Sequence, residues 1–415
     1  GRLKTGTPPR VLARTLDFEN MKRQDPDPDG VRFSFDPCAE HFPSLAGGRP
    51  PQLPCYITQT TAETAAIIKA NLDRSPLYSG RIEGIGTRYC PSFEDKVVRF
   101  PQHGSHPIFL EPEGAYTDEY YLNGISTSLP LDVQRRMVHS VPGLENAWIT
   151  RYAYAIEYDF VFPHQLEATL AVRRCPNLFL AGQINGTSGY EEAAGQGLVA
   201  GVNAARRAAG DDSPFTLGRD EAYIGVMIDD LITKEIIEPY RLFTSRAEYR
   251  LRLRQDNADL RLTPRGYEAG IVSEERFRRT AALGAEIDEL RSKLCELRNG
   301  GVSLWDRLRR PEVAYADLDG APPASARAVE QVTVEARYQG YFAREKARAG
   351  DLHQLEAWPI PPDFDYGKIT GLRTEARIKL EKMRPDSLAR ASRIDGVTPA
   401  EIGLLQVHLK RLRRK

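Results

Sequence analysis

The sequence contains no GxGxxG run, so no glycine motif marks a dinucleotide-binding turn of the Rossmann type. Cysteine is scarce. Cys38, Cys55, Cys90, Cys175 and Cys295 are odd in number and widely spaced, with no CxxC pair. That excludes a zinc quartet and argues against a disulfide scaffold; a reducing cytoplasm is the expected location. No apolar run is long enough to span a bilayer, and no signal peptide is expected. None of the seven histidines has metal-ligand spacing, so no metal is expected. Net charge is also missing. Lys plus Arg and Asp plus Glu both number 57, so any attraction for nucleic acid must come from a local surface. The opening "GRLKTGTPPR" carries no initiator methionine and reads as the interior of a longer chain.

What is present is concentrated in a few stretches. In "NLFLAGQINGTSGYEEAAGQGLVAGVNAARRAAG" (177–210), Leu178, Phe179, Leu180 and Ala181 predict a short buried strand. Gly182, Gly186 and Gly189 break the loop after it, and Glu191 and Glu192 suit a first helical turn. Ala193, Gly197, Ala200, Gly201, Ala204 and Ala208 then recur at helical spacing, a face thin enough for tight packing on a strand or close approach to a ligand.

Residues 1–54 are rich in Pro and Gly and read as loop. "CYITQTTAETAAIIKANL" predicts a strand followed by a helix capped near Thr61. "DKVVRF", "HPIFLEPEG" and "YAYAIEYDFVF" (152–162) predict strands, so residues 1–210 read as mixed α/β. After about residue 212 helical patterns dominate. Leu283, Ile287, Leu290, Leu294 and Leu297 form an amphipathic stripe stopped by "NGG" at 299–301. "TPAEIGLLQVHLKRL" opens on a capping box, with Thr398 as cap, Pro399 at the first helical position and Glu401 at the third. Ile402, Leu405 and Leu409 supply its apolar face.

Three stretches carry chemistry. In "GIGTRYCPSFEDKVVRF" (84–100), Arg88, Lys96 and Arg99 favour a Cys90 thiolate; a buried, inert cysteine is the other reading. Glu111 and Glu113 share a side of an extended segment, as an acid–base pair or as solvated surface. "EPYRLFTSRAEYRLRLRQDNADLRLTPR" (238–265) holds seven arginines against four acids, with Tyr240, Phe243 and Tyr249 interleaved. That composition suits phosphate clamping and base stacking, or a salt-bridged helix. Arg246, Arg250 and Arg254 recur every four residues, so on a helix they would form one basic ridge.

These stretches, with "NGISTSLP" and "SRIDGVTPAEI", resemble the GidA/MnmG family from residue 1 to about 409. The resemblance implies the C-terminal part of a glutathione-reductase-like FAD domain, a nicotinamide-binding insertion and a mainly helical C-terminal region. The expected divisions are 1–120 for the insertion, 121–212 for the FAD part and 213–415 for the helical, tRNA- and partner-binding region. The family's GxGxxG segment precedes "RLKTGTPPR", so the sequence is expected to be a fragment that holds FAD weakly on its own. The implied activity is formation of the 5-carboxymethylaminomethyl group on the wobble uridine of tRNA. It uses FAD, NADH and a one-carbon unit from methylenetetrahydrofolate, with a MnmE-type GTPase as partner and a homodimer as the assembly.

Residue by residue, the resemblance assigns flavin contact to Gln183 and its neighbour Gly182. Its nicotinamide-binding run maps onto Gly86, Thr87, Arg88, Tyr89, Cys90, Pro91, Ser92, Phe93, Glu94, Asp95, Lys96, Val97, Val98, Arg99 and Phe100. Cys90 is the implied reactive residue, and Arg246, Arg250 and Arg254 are the expected tRNA contacts. Thr87 stands where the family usually has proline, and Tyr152–Ala153 where it has Pro–Gly. Two rivals remain: the folate-dependent tRNA uridine methyltransferase of the same superfamily, and a non-catalytic RNA-binding or assembly module.

Overall fold

The structure is a computed structural model, and it describes residues 1–27, 34–35, 52–86 and 91–412. Contacts divide the chain into two compact units, 1–161 with 237–239, and 162–236 with 240–415. Residue 120 lies within the strand Glu119–Asn123 of the first unit, and the contact division falls at residue 161.

The first unit is built on antiparallel strands. β1 (Arg2–Thr7) pairs with β8 (Tyr154–Asp159), Arg2 opposite Asp159 and Thr7 opposite Tyr154. A six-stranded sheet runs β3 (Lys22–Gln24), β4 (Cys55–Gln59), β5 (Pro107–Pro112), β6 (Glu119–Asn123), β2 (Arg10–Leu12), β7 (Ile149–Arg151). Alternation along these strands sends Val11, Ile108, Leu110 and Leu122 into the core. There they meet Ile68 of α1 (Ala62–Lys69), Phe93 and Val97 of α2 (Phe93–Arg99), and Val133 and Met137 of α3 (Leu131–His139). Thr61 caps α1 through a reciprocal box with Thr64, as its position predicted.

Two expectations change here. "RLKTGT" is a strand rather than loop; its partner lies more than 140 residues away, where local patterning cannot see it. "DKVVRF" belongs to a helix, because Ser92 accepts the Asp95 N–H and caps α2. The Val97–Val98 pair suggested a strand, but the cap decides.

The second unit is mainly helical. β9 (Ala171–Val172) and β10 (Cys175–Phe179) form a two-stranded sheet. β10 is the expected strand, but Leu178 is 47% exposed, so it is not buried. A single 3-10 turn, Gly182–Asn185, leads to α4 (Tyr190–Ala208), which buries Gln196, Val199 and Val202 against α5 (Tyr223–Thr233) and Asn203 against the Phe215 backbone. The glycine stripe points elsewhere: a Cβ at Gly197 or Gly201 would meet nothing within 4 Å. Close approach occurs instead at Gly225, where a Cβ would fall 2.2 Å from the Gly218 carbonyl oxygen. Any side chain there would force α5 off the 217–218 loop.

α6 (Ala258–Glu268), α7 (Glu274–Glu296), α8 (Leu304–Leu308) and α9 (Ala326–Glu356) form the next layer. Ile287, Leu290 and Leu294 of the expected stripe are buried with Trp305, Leu308 and Val332. β11 (Arg298–Asn299) and β12 (Val302–Ser303) make the hairpin in which Gly300 and Gly301 take positive φ, so "NGG" ends the helix. α10 (Thr374–Met383), α11 (Leu388–Arg393) and α12 (Pro399–Leu412) close a last apolar cluster through Leu380, Leu388, Leu405 and Leu409.

Candidate functional site

Of the run 86–100, Thr87, Arg88, Tyr89 and Cys90 lie outside the described residues. The remainder frames a cavity in the first unit. β1 brings Lys4, Thr5 and Gly6; the loop before α3 brings Ser126, Thr127 and Ser128; the start of α2 brings Ser92 and Asp95. The 83–86 loop is clamped to β1: Lys4 N–H donates to the Ile85 carbonyl at 3.0 Å, and Glu157 accepts the Glu83 and Gly84 N–H groups at 2.9 and 2.6 Å. A Cβ at Gly84 would lie 2.8 Å from the Leu3 carbonyl carbon, so glycine is needed for this approach.

Asp95 is the electrostatic centre. Ser92 Oγ and Tyr78 OH donate to it at 3.0 and 3.2 Å, with Arg99 at 3.7 Å and Lys4 at 4.0 Å. Burial, followed by the Asp95 charge, pushes the Tyr78 phenol up to about 12. Burial pushes the Lys4 ammonium below its ordinary value; Asp95 and Glu94 oppose this, and Arg99 adds to it. Glu94 is fully buried. Its Oε1 accepts from Ser75 Oγ and from Ser128 N–H and Oγ at 3.1–3.2 Å, while Oε2 has no partner among the described residues. The other members of the run serve packing and capping. Phe93 and Val97 enter the core, and Lys96 Nζ donates to the Gly124 carbonyl at 2.8 Å. The cavity measures about 30 Å³.

Glu111 and Glu113 do not act as a pair. Glu111 accepts from Asn123 at 2.9 Å, and Glu113 binds Arg10 at 2.7 Å.

Gln183 is exposed on the 3-10 turn, with no side-chain partner among the described residues. Gly182, in the left-handed region, gives its N–H to Gln196 Oε1 at 2.7 Å. The start of α4 is not an open positive end. Glu192 folds back so far that a Cβ at Gly189 would lie 1.9 Å from its Oε2, and it accepts the Leu242 N–H at 3.0 Å. Ile184, Tyr190 and Leu198 are also exposed.

The arginine segment forms no basic ridge. Residues 247–257 contain no helix, so Arg246, Arg250 and Arg254 do not share a face. Arg246 pairs with Asp230 at 3.4 Å and lies over the Tyr240 ring. Arg254 binds Asp256, Gln331 and the Leu251 carbonyl. Only Arg250 of the three is exposed, without a side-chain partner among the described residues.

The organiser of the segment is Arg219, which sequence reasoning missed. Its guanidinium binds Asp229 (3.1 Å), Asp230 (2.8 Å) and Glu248 (2.9 Å), and its side chain is 3% exposed. Burial pulls its pKa down, but the three carboxylates outweigh burial and raise it. Asp229 also holds Arg393 at 2.6 Å through both oxygens. A signal was present: Asp229–Asp230 interrupt the apolar helix "YIGVMIDDLIT", and buried carboxylates require cations. Lys4 and Glu157 were also missed, although both lie in motifs that carried the resemblance.

The comparisons with known proteins agree with one another. Residues 1–212 match the family model described as glucose inhibited division protein A. Residues 273–346 and 349–415 match the MnmG/GidA C-terminal helical domain and helical bundle. The chain is similar to the tRNA uridine 5-carboxymethylaminomethyl modification enzyme MnmG of Geobacter sulfurreducens, at 51% identity over 99% of this chain and 68% of the relative. The Latilactobacillus sakei enzyme of the same name is 49% identical, with 99% and 68% covered. Aquifex aeolicus GidA in its form I crystal superposes with a TM-score of 0.87 at 48% identity, covering 99% of this chain and 68% of that one. With half of its residues shared along nearly its whole length, and with both helical C-terminal modules present, this chain belongs to the MnmG/GidA family.

Proposed function

We propose that the chain is a tRNA uridine-modifying enzyme that forms the 5-carboxymethylaminomethyl group. The observation that carries this reading is the 49–51% identity to enzymes of that name over 99% of the chain. The matches at 273–346 and 349–415 favour it over the methyltransferase, which lacks the helical extension. Mass analysis of tRNA nucleosides from a deletion strain complemented with this gene tests it: the carboxymethylaminomethyl nucleoside is expected, and methyluridine alone would refute the reading.

The flavin reading is finer. Gln183 and the Gly182 turn would hold the ring of FAD, which supplies the redox chemistry when bound. Gln183 orients through its free amide, while Gln196 holds the turn from behind through Gly182 and Asn185. In the first unit, Lys4 is a donor of lowered pKa beside Asp95, suited to polarising a carbonyl or passing a proton. Cys90 would be the thiolate nucleophile. NADH as reductant, methylenetetrahydrofolate as one-carbon donor, a MnmE-type GTPase partner, a homodimer and a cytoplasmic location complete the proposal. No helix among the described residues is long and apolar enough to cross a membrane.

A further inference from the structure

A cavity of about 500 Å³ opens in the second unit between the arginine segment and the helices α8 and α9. Arg252, Arg254 and Arg261 line one wall, and Trp305, Phe342 and Lys346 the other. The acids at its edge are already engaged. Glu335 pairs with Arg291 at 2.7 Å, and Glu345 accepts the Leu251 and Arg252 N–H groups at 3.4 and 3.2 Å.

The cations are less well matched. Arg261 donates to Asn257 and to the carbonyls of Arg254 and Glu221, all uncharged acceptors. Lys346 is exposed, and among the described residues it has no ion-pair partner. Burial pushes the Arg261 pKa down, and the charges of Arg252 and Arg254 push it further. Arg252 is held by Asp220 at 3.6 Å and Arg254 by Asp256 at 3.0 Å, so Arg261 is the guanidinium that stands beside two others without an ion-pair partner of its own among the described residues, and an anion in the open space would relieve it.

The opposite wall asks for something else. Arg254 lies 5.6 Å over the Phe342 ring, and Trp305 Nε1–H donates to Gln339 at 3.3 Å. Aromatic surface beside an amide suits a planar ring with a hydrogen-bonding edge. Inorganic phosphate would leave that wall uncovered, and an acidic peptide would not use it. The volume is that of a small-ligand site.

We propose that this cavity receives one unstacked, phosphate-bearing nucleotide of the RNA substrate, its base against Phe342 and its phosphate between Arg252, Arg261 and Lys346. The assignment rests on the reading of the chain as a tRNA-modifying enzyme. A base paired within a helix cannot enter, so the nucleotide comes from a loop or an opened pair.

The test measures binding of a labelled tRNA anticodon stem-loop to the full chain by fluorescence anisotropy across salt concentrations. Phe342→Ala is expected to weaken binding about tenfold through lost stacking. Lys346→Gln is expected to reduce the salt slope by about 0.7. In a Trp148→Phe, Trp358→Phe background, the stem-loop should also quench the remaining Trp305, whereas a fully paired duplex should not. Unchanged affinity and slope in both folded single variants would overturn the pocket while leaving the RNA reading intact. Equal quenching by the duplex would overturn the unstacked nucleotide. Uridine monophosphate binding as tightly as the stem-loop, with the same sensitivity to Phe342→Ala, would reassign the site to free nucleotides. Failure of the unsubstituted chain to bind RNA would overturn both readings, and it is recognised before any substitution is made.

Discussion

The two units of the chain solve the same problem in different ways. The first buries Leu110, Leu122, Val133 and Met137 between a sheet and three helices; its buried carboxylate, Glu94, is held by the hydroxyls of Ser75 and Ser128, while Lys4 and Asp95 line its cavity. The second has apolar clusters too, but it places Arg219, Asp229 and Asp230 in its interior, each below 8% exposed. A charge in the first unit is therefore a candidate for chemistry, whereas a charge in the second is first a candidate for holding helices together. Counting arginines cannot separate these roles; burial and partners can.

The largest expected effect tests the first half of that contrast. Cys90→Ser should lower tRNA modification by on the order of 10³-fold or more, because serine is a far weaker nucleophile at neutral pH. Its circular dichroism and RNA affinity should match the unsubstituted protein. Full modified-nucleoside levels in the variant would remove the chemistry from this part of the chain.

Arg219→Met tests the second half. It would remove the buried cation shared by Asp229 and Asp230, which keep Arg393 and Arg246 as partners, at a cost of about 3 kcal/mol in chemical denaturation. Leu110→Ala in the first unit should cost about 2–5 kcal/mol for a different reason, a cavity, and its cost should not depend on pH. An Arg219→Met protein as stable as the parent would show that the network contributes specificity rather than stability.

How far these contrasts were legible beforehand depends on the reach of each signal. Thr61, Thr398 with Glu401, and the Ile287–Leu290–Leu294 stripe were readable because caps and helical periodicity act within a few residues. Ser92 offers an equally local cap before Asp95, but it lies outside the six residues of "DKVVRF", whose own composition favours a strand. β1 was invisible because its partner is remote. The spacing of Arg246, Arg250 and Arg254 misled because Arg219 binds the Arg246 carbonyl and Glu248, drawing that stretch of chain into its own hydrogen bonds instead of a helix. Within the candidate site, the residue types of 91–100 were plain, while the contribution of Lys4 needed the fold that brings residues 4, 95 and 126 together.

A smaller effect sharpens the comparison through pH. Arg373 binds Glu401 at 2.7 Å and, with the Thr398 N–H and hydroxyl, holds its carboxyl at about 2 against opposing burial. The folded-state value is depressed, so its contribution is complete above the unfolded value of about 4.3 and is lost as pH falls toward 2. Glu401→Gln should cost about 2 kcal/mol at neutral pH and flatten stability between pH 4.3 and 2. Equal acid sensitivity in parent and variant would point to another carboxylate.

The smallest expected effect separates two neighbouring arginines. Arg250→Ala should change stability by less than about 0.5 kcal/mol. It should weaken tRNA binding and reduce the salt slope by roughly 0.7–0.9. Arg254→Ala should instead cost about 1–2 kcal/mol by releasing Asp256 and Gln331. A reversed pattern would mean that exposure does not sort binding from structural arginines here.

The pairing of β1 with β8 also constrains the order of synthesis. Arg2 cannot meet Asp159 until more than 150 residues have followed it out of the ribosome. At about 5–20 residues per second that wait is roughly 8–30 s. Throughout it, residues 2–7 lack their ladder with β8, Ile85 being the one earlier backbone partner, at Lys4, and that edge is open to other nascent chains. Chaperone demand during translation should therefore concentrate on the first unit's opening strand and end when residue 159 becomes available.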